Sequence, residues 1–113
     1  PDTVESFHDD LDRQDAAAMS LLVATQEAVD VALHIAADEG WGIPGSYAAA
    51  FDLLAERGVV DRALATELGR IVTLRNRIAH GYASVDVDRL WREIPAGLAS
   101  FDRFATAIAV WLG

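Results

Sequence analysis

The chain contains no cysteine and no lysine among its 113 residues. Without thiols it can form no disulfide framework, no thiolate nucleophile and no cysteine-based zinc site. Without lysine, arginine carries all 9 formal positive charges, which stand against 18 acidic residues and leave a net charge of −9. An acidic balance of this kind argues against bulk, non-specific nucleic-acid binding by the whole surface.

Several signatures of enzymes and membrane proteins are also absent. There is no glycine-rich phosphate loop and no Gly-x-Ser-x-Gly elbow, and no two histidines are spaced as metal ligands on one helix. The longest apolar run that we identify, residues 104–112, is about half as long as a membrane span. The acidic N-terminus does not resemble a signal peptide. We therefore expect a cytoplasmic protein without a metal or another cofactor.

Hydrophobic periodicity predicts one all-α domain over residues 1–113, an antiparallel up-down bundle of four main helices. Abundant alanine and short β-branched runs favour helix over strand. The predicted helices cover residues 10–38, 47–57, 62–79 and the stretch from 87 towards the C-terminus.

Caps and apolar stripes support these helices. Ser46, Asp61 and Asp86 are candidate N-caps, Gly58 is a candidate stop, and Pro95 predicts a kink or a short break. The stripe of the third helix comprises Leu64, Leu68, Ile71, Leu74 and Ile78. The stripe of the fourth helix comprises Val87, Leu90, Trp91, Ile94, Leu98, Phe101, Phe104, Ile108 and Trp111.

One short region is positive on this acidic chain. Residues 70–92 contain five arginines and two aspartates, which is +5 − 2 = +3, so the remainder carries −12. The arginines are Arg70, Arg75, Arg77, Arg89 and Arg92. The region predicts either an ordinary solvated helix face or a local anion-binding surface.

Helical geometry separates the polar residues of this region. At about 100° per residue, Arg75 lies about 40° from Ile71, at the edge of the core stripe. Asn76 and His80 lie about 140° and 180° from Ile71, so they share the face opposite the core. If the helix continues to His80, these two side chains are one turn apart and can form a hydrogen bond.

The residue types suit phosphodiester cleavage. Histidine titrates near neutral pH and can transfer a proton, and arginine can hold a phosphate and stabilise charge in the transition state. Asn76 could fix the tautomer of the His80 imidazole. One copy provides one such histidine and one such arginine, whereas two copies across a two-fold axis provide two of each.

Simpler interpretations remain open for the same residues. His80 could cap the helix by interacting with its dipole, and Tyr82 could be a half-buried loop aromatic. Arg75, Asn76 and Arg77 could form a polar helix edge. On the first helix, Asp30 and His34 are spaced for an i, i+4 pair, which we interpret as structural.

Arg75-Asn76-x-x-x-His80-x-Tyr82 resembles the Arg-x(4–6)-His motif of the HEPN superfamily, in the Arg-x-x-x-x-His-x-Tyr form of its HepT branch. The resemblance covers nearly the whole chain, because further segments match that branch in order and spacing: residues 30–35, Ser46-Tyr47 through Phe51 and Leu54, 58–60 and 74–76. Much of the opening helix that such proteins carry before the position of Phe7 is expected to be missing.

The resemblance implies a homodimer in which two motifs meet at the interface of antiparallel helical bundles. It implies a metal-independent endoribonuclease toxin that acts on tRNA or mRNA and leaves a cyclic phosphate and a 5′-hydroxyl. Arg75 and His80 would be catalytic and Asn76 would support them. Tyr82 would be AMPylated by a minimal nucleotidyltransferase antitoxin of the MntA type, which would add bulk and negative charge beside the phosphate site.

Two further functions are compatible with the sequence. The chain could be a non-catalytic subunit that binds a nucleotide or substrate for a nucleotidyltransferase, with Arg75 and His80 holding a phosphate. It could also be a structural dimerisation bundle, which the net charge of −9 would suit.

Overall fold

The described residues form four α-helices, in agreement with the predicted all-α bundle. The structure is a computed structural model that describes Thr3, residues 11–80 and residues 87–113, with side chains for Thr3, 16–80 and 92–113. The helices are α1 (Leu11–Asp38), α2 (Tyr47–Glu56), α3 (Arg62–His80) and α4 (Val87–Leu112). His8, Tyr82 and Asp86 lie outside the described residues.

The predicted signals set the ends of α2 and the start of α3. The Ser46 hydroxyl accepts a hydrogen bond from the backbone N–H of Ala49 at 3.1 Å, as an N-cap does. Gly58 follows α2 with a φ of +76°. The next amide, that of Val59, donates to the Leu54 carbonyl at 2.9 Å, which is the bond of a Schellman motif. Asp61 then caps α3.

Packing places α3 at the centre of the bundle, where all five predicted stripe residues are buried. α3 and α4 are antiparallel, because Glu67 contacts Ser100 whereas Ile71 lies opposite Gly97. A methyl group added at Gly97 would lie 3.7 Å from Leu21 and Ile71, so α1, α3 and α4 meet closely at this level.

α4 differs in two respects from what the sequence suggested. A kink or a short break was expected at Pro95, and the helix runs from Val87 to Leu112 without a break. Leu98, which was assigned to the core, is 51% exposed, whereas Phe104 is buried and packs edge-on against Phe51 with a centroid distance of 5.6 Å. A broad stripe on a 26-residue helix therefore extends beyond the surface that α1 and α3 cover.

The expectation that no apolar stretch reaches the length of a membrane span was also wrong. Ala16–Asp38 is 23 residues long with a mean hydropathy of 1.4, so by length and composition alone it could cross a membrane. In the structure one side of this stretch belongs to the core of the bundle. Its buried residues are Ala18, Leu21, Thr25, Ala28, Val29, Ala32, Ile35 and Ala36.

Candidate active site

The last turns of α3 carry the described part of the motif. The helix continues through His80, which satisfies the condition for Asn76 and His80 to share one face. Both of these side chains are exposed, while Arg75 is half-buried and Ile78 lies in the core. The predicted placement, with Arg75 at the rim and the other two facing away from the core, is therefore confirmed. Tyr82 falls in the part of the chain that is not described.

Arg75 is held by an aromatic ring and an amide. Its guanidinium carbon lies 5.4 Å from the centre of the Tyr47 ring, within the range of a cation–π contact. Its Nη1 donates to Oδ1 of Asn76 at 3.3 Å. Its Nε is buried and has no hydrogen-bond acceptor among the described residues. The guanidinium is thus partly desolvated, and the two described groups that contact it, the Tyr47 ring and the Asn76 amide, carry no charge.

Asn76 contacts a different residue from the one expected. Its Oδ1 accepts from Arg75, and among the described residues it forms no hydrogen bond with His80. Adjacent residues on a helix usually diverge, but the long arginine side chain can fold back to reach the neighbouring amide. The interpretation that Asn76 orients the imidazole is therefore replaced by one in which it orients the guanidinium.

The Tyr47 ring is itself tied to α1. Its hydroxyl donates to Oε1 of Gln26 at 3.4 Å, and Nε2 of Gln26 donates to Oδ1 of Asp30 at 2.8 Å. Tyr47 is the first residue of α2 and follows the Ser46 N-cap directly. The cap therefore fixes the backbone position that carries the Tyr47 ring. The sequence placed Tyr47 on the second helix and gave no indication of its contact with Arg75.

The surroundings of Arg75 differ from those of two other arginines. Arg62 forms a salt bridge with Asp52 at 3.0 Å, and Arg103 forms one with Glu67. No described carboxylate pairs with Arg75. A phosphate can therefore approach Arg75 without displacing a carboxylate of the described chain.

Three other arginines of the positive region are exposed. Arg70, Arg77 and Arg92 are exposed, on α3 and at the start of α4. Arg70 lines a groove together with Glu67 and Glu93, so acidic side chains accompany the exposed arginines on this part of the surface.

His34 has a partner other than the predicted one. Its Nε2 lies 3.1 Å from Oδ2 of Asp38, one turn later, whereas Asp30 accepts from Gln26. The side chains of His34 and Asp38 are 77% and 66% exposed. The expected contact between Asp30 and His34 was wrong, and the actual pair lies on the surface.

Four cavities lined by described residues do not include Arg75, Asn76 or His80. A cavity of about 750 Å³ lies between the start of α3 and the end of α4, beside Val60, Asp102 and Trp111. No cluster of three His, Asp or Glu side chains suited to a metal occurs in the described part of the chain. Among the described residues, half-buried Arg75 and exposed Asn76 and His80 therefore lie at the surface of the bundle rather than inside one of these cavities.

The helix order and packing define an antiparallel all-helical bundle with a partly desolvated arginine near the end of its third helix. The chain belongs to the Ribonuclease HepT-like family, whose model matches residues 1–108.

Individual relatives agree with this family. The chain is 29% identical over 102 residues to the mRNA nuclease HepT of Shewanella oneidensis, covering 90% of this chain and 77% of that protein. A solved toxin–antitoxin structure with AMP-PNP has a TM-score of 0.87 and 28% identity, over 92% of this chain and 79% of that one. The tri-AMPylated Shewanella oneidensis HEPN toxin in complex with MNT antitoxin has a TM-score of 0.87 and 29% identity, over 92% and 78%.

Proposed function

We propose that this chain is an RNA-cleaving toxin in which Arg75 and His80 are catalytic and Asn76 supports Arg75. The observation that carries the proposal is the partly desolvated guanidinium of Arg75, which has no described carboxylate partner and lies just over one turn before the exposed His80. Membership of a ribonuclease family and similarity to an mRNA nuclease support RNA as the substrate. Cytoplasmic RNA, either tRNA or mRNA, is accessible to a protein of this kind.

The proposed reaction is a transesterification that requires no metal. His80 of one copy removes the proton from a ribose 2′-hydroxyl, and the 2′-oxygen attacks the adjacent phosphorus. The bond to the 5′-oxygen breaks as that oxygen takes a proton, which leaves a cyclic phosphate and a 5′-hydroxyl. Arg75 stabilises the additional charge on the non-bridging oxygens during the step.

A homodimer is part of the proposal because one motif offers one imidazole, whereas the reaction needs a base and an acid. A second copy across a two-fold axis supplies the other imidazole and the other guanidinium. Of the seven exposed large apolar side chains among the described residues, Met19 (59%), Val23 (49%) and Leu98 (51%) lie within two residues of Leu21 or Gly97, which meet near Ile71. Leu98 follows Gly97, which lies opposite Ile71 of α3. Ile71 is about one helical turn before Arg75.

Control by AMP transfer is the second part of the proposal, with Tyr82 as acceptor. The phenol oxygen attacks the α-phosphorus of ATP on a minimal nucleotidyltransferase antitoxin, and pyrophosphate leaves. The AMP-modified relative in complex with MNT antitoxin supports a partner of this class. An added phosphodiester two residues after His80 would repel RNA and obstruct its approach.

The direct test of catalysis is incubation of the purified protein with tRNA and mRNA in the presence of EDTA. We expect cleavage fragments that carry a cyclic phosphate and a 5′-hydroxyl. Loss of cleavage in EDTA would contradict the metal-free mechanism. Tight nucleotide binding without any cleavage would instead identify the chain as a binding subunit of a nucleotidyltransferase.

The test of control uses the nucleotidyltransferase partner and radiolabelled ATP. Label should enter the wild-type protein and suppress cleavage, while Tyr82→Phe should remain unlabelled and active. Equal labelling of Tyr82→Phe would show that the acceptor is a different side chain.

A further inference from the structure

We propose that Tyr47 is a positioning residue that fixes the guanidinium of Arg75 for catalysis, and that Gln26 holds the Tyr47 ring in place. The inference rests on the proposed function, since it requires Arg75 to contact the phosphate. Three helices contribute to it, because Gln26 is on α1, Tyr47 begins α2 and Arg75 is on α3. The contact therefore joins the motif to two elements outside the motif.

An arginine that acts on a transition state has to be placed before the substrate arrives. Its side chain has many rotamers, and a displacement of about 1 Å at a catalytic group can cost about 10²-fold in rate. The guanidinium carbon of Arg75 lies over the Tyr47 ring, 5.4 Å from its centre, so the ring limits where the guanidinium can move. The bond from Nη1 to Asn76 further restricts its rotation.

The choice of an aromatic partner has an electrostatic consequence. A carboxylate would also hold the arginine, as Asp52 holds Arg62, but it would compensate the positive charge. The tyrosine ring attracts the cation through its quadrupole and leaves the net charge in place. Nε of Arg75 is buried without a described acceptor, and the described contacts of this guanidinium are the Tyr47 ring and the Asn76 amide.

The ring needs support of its own, and α1 provides it. The Tyr47 hydroxyl donates to Gln26 at 3.4 Å, which is long for such a bond, while Gln26 donates to Asp30 at a shorter 2.8 Å. We expect the aromatic face to contribute more to the placement of Arg75 than the hydroxyl. Removal of the ring and removal of the hydroxyl should therefore have different effects.

The test measures kcat and KM for RNA cleavage by Tyr47→Leu and Tyr47→Phe, with Trp41→Leu as the control. Trp41 holds Arg57 in a similar contact of 5.3 Å, away from the motif. Tyr47→Leu should lower kcat by about 10- to 100-fold with a smaller change in KM, because the lost effect acts on the transition state. Tyr47→Phe should restore cleavage to within about threefold of wild type, because it retains the ring.

Several outcomes would overturn the inference. The first is a Tyr47→Leu rate within about twofold of wild type, which is the change typical of a surface substitution. The second is an equal loss of rate in Tyr47→Phe, and the third is an equal loss in folded Trp41→Leu. Arg75→Ala separates the two proposals. If Arg75→Ala cleaves like wild type, the catalytic assignment of Arg75 fails. If it is inactive while Tyr47→Leu is unaffected, only the positioning role fails.

A measurement on the wild-type protein avoids dependence on the folding of Tyr47→Leu. The Nε–H signal of Arg75 can be assigned by NMR from its absence in Arg75→Lys. The ring current of Tyr47 should shift this proton upfield, and burial of Nε should slow its exchange with water. A signal at the ordinary arginine position with fast exchange would contradict the proposed placement.

Discussion

Two arginines of this protein lie over aromatic rings at nearly the same distance, yet their surroundings differ. Arg57 is 5.3 Å from the centre of the Trp41 ring, and Arg75 is 5.4 Å from that of Tyr47. Trp41 also packs edge-on against Trp111 at 6.1 Å, so the first contact belongs to an aromatic cluster. A similar arginine–aromatic contact thus occurs in two different settings, which shows that the contact alone does not identify a functional site.

The two contacts lie towards opposite ends of α3. Arg57 caps the C-terminus of α2, just before α3 begins at Arg62. Arg75 is 13 residues after Arg62, which corresponds to about 20 Å along the axis. In the first contact Arg57 is exposed and Trp41 is half-buried, whereas half-buried Arg75 is followed on α3 by exposed Asn76 and His80. The residues that follow each arginine, and not its aromatic partner, therefore separate the candidate catalytic arginine from the structural one.

The largest expected effect comes from the histidine at the motif end. His80→Ala should lower cleavage by about 10²- to 10⁴-fold, because proton transfer by a placed imidazole contributes that much. His34→Ala is a matched control, since His34 is an exposed helical histidine paired only with Asp38 among described carboxylates. It should retain cleavage to within about twofold. A similar loss in both variants would show that the effect is not specific to the motif.

A smaller effect, on stability and not on catalysis, is expected at the contact between Arg57 and Trp41. Trp41→Leu removes the ring beneath Arg57 and the edge-on contact with Trp111. It should lower the free energy of unfolding by about 1–3 kcal/mol, as measured by urea denaturation. The cleavage rate per folded molecule should not change. A selective fall in that rate would place this end of the bundle in the active site as well.

The smallest effect is expected where an arginine is already paired with a carboxylate. Arg62→Gln breaks the salt bridge with Asp52, whose two side chains are 59% and 57% exposed. The free energy of unfolding should fall by no more than about 1 kcal/mol, because solvent screens exposed pairs. Urea denaturation at low and high salt measures this change. A loss well above that limit would mean that the pair is more than a surface contact.

The sequence was sufficient for the all-α fold and for the helix faces on which Arg75, Asn76 and His80 lie. The stripe of α3 has strict helical spacing, so the rim position of Arg75 and the outward direction of His80 followed from geometry. The contact between Tyr47 and Arg75 could not be predicted, because it joins residues 28 positions apart through the packing of α2 on α3. Leu98 was misassigned for a related reason, since burial depends on which neighbour covers a face.

The variants Arg75→Gln and Arg57→Gln compare most directly the catalytic role assigned to Arg75 with the structural role assigned to Arg57. Single-turnover cleavage of one RNA by both purified proteins is the measurement. Arg75→Gln should cleave at least about 10²-fold more slowly than wild type, because its charge acts on the transition state. Arg57→Gln should remain within about twofold. Equal rates for the two variants, whether both normal or both impaired, would contradict the assignment of the active site to the end of α3.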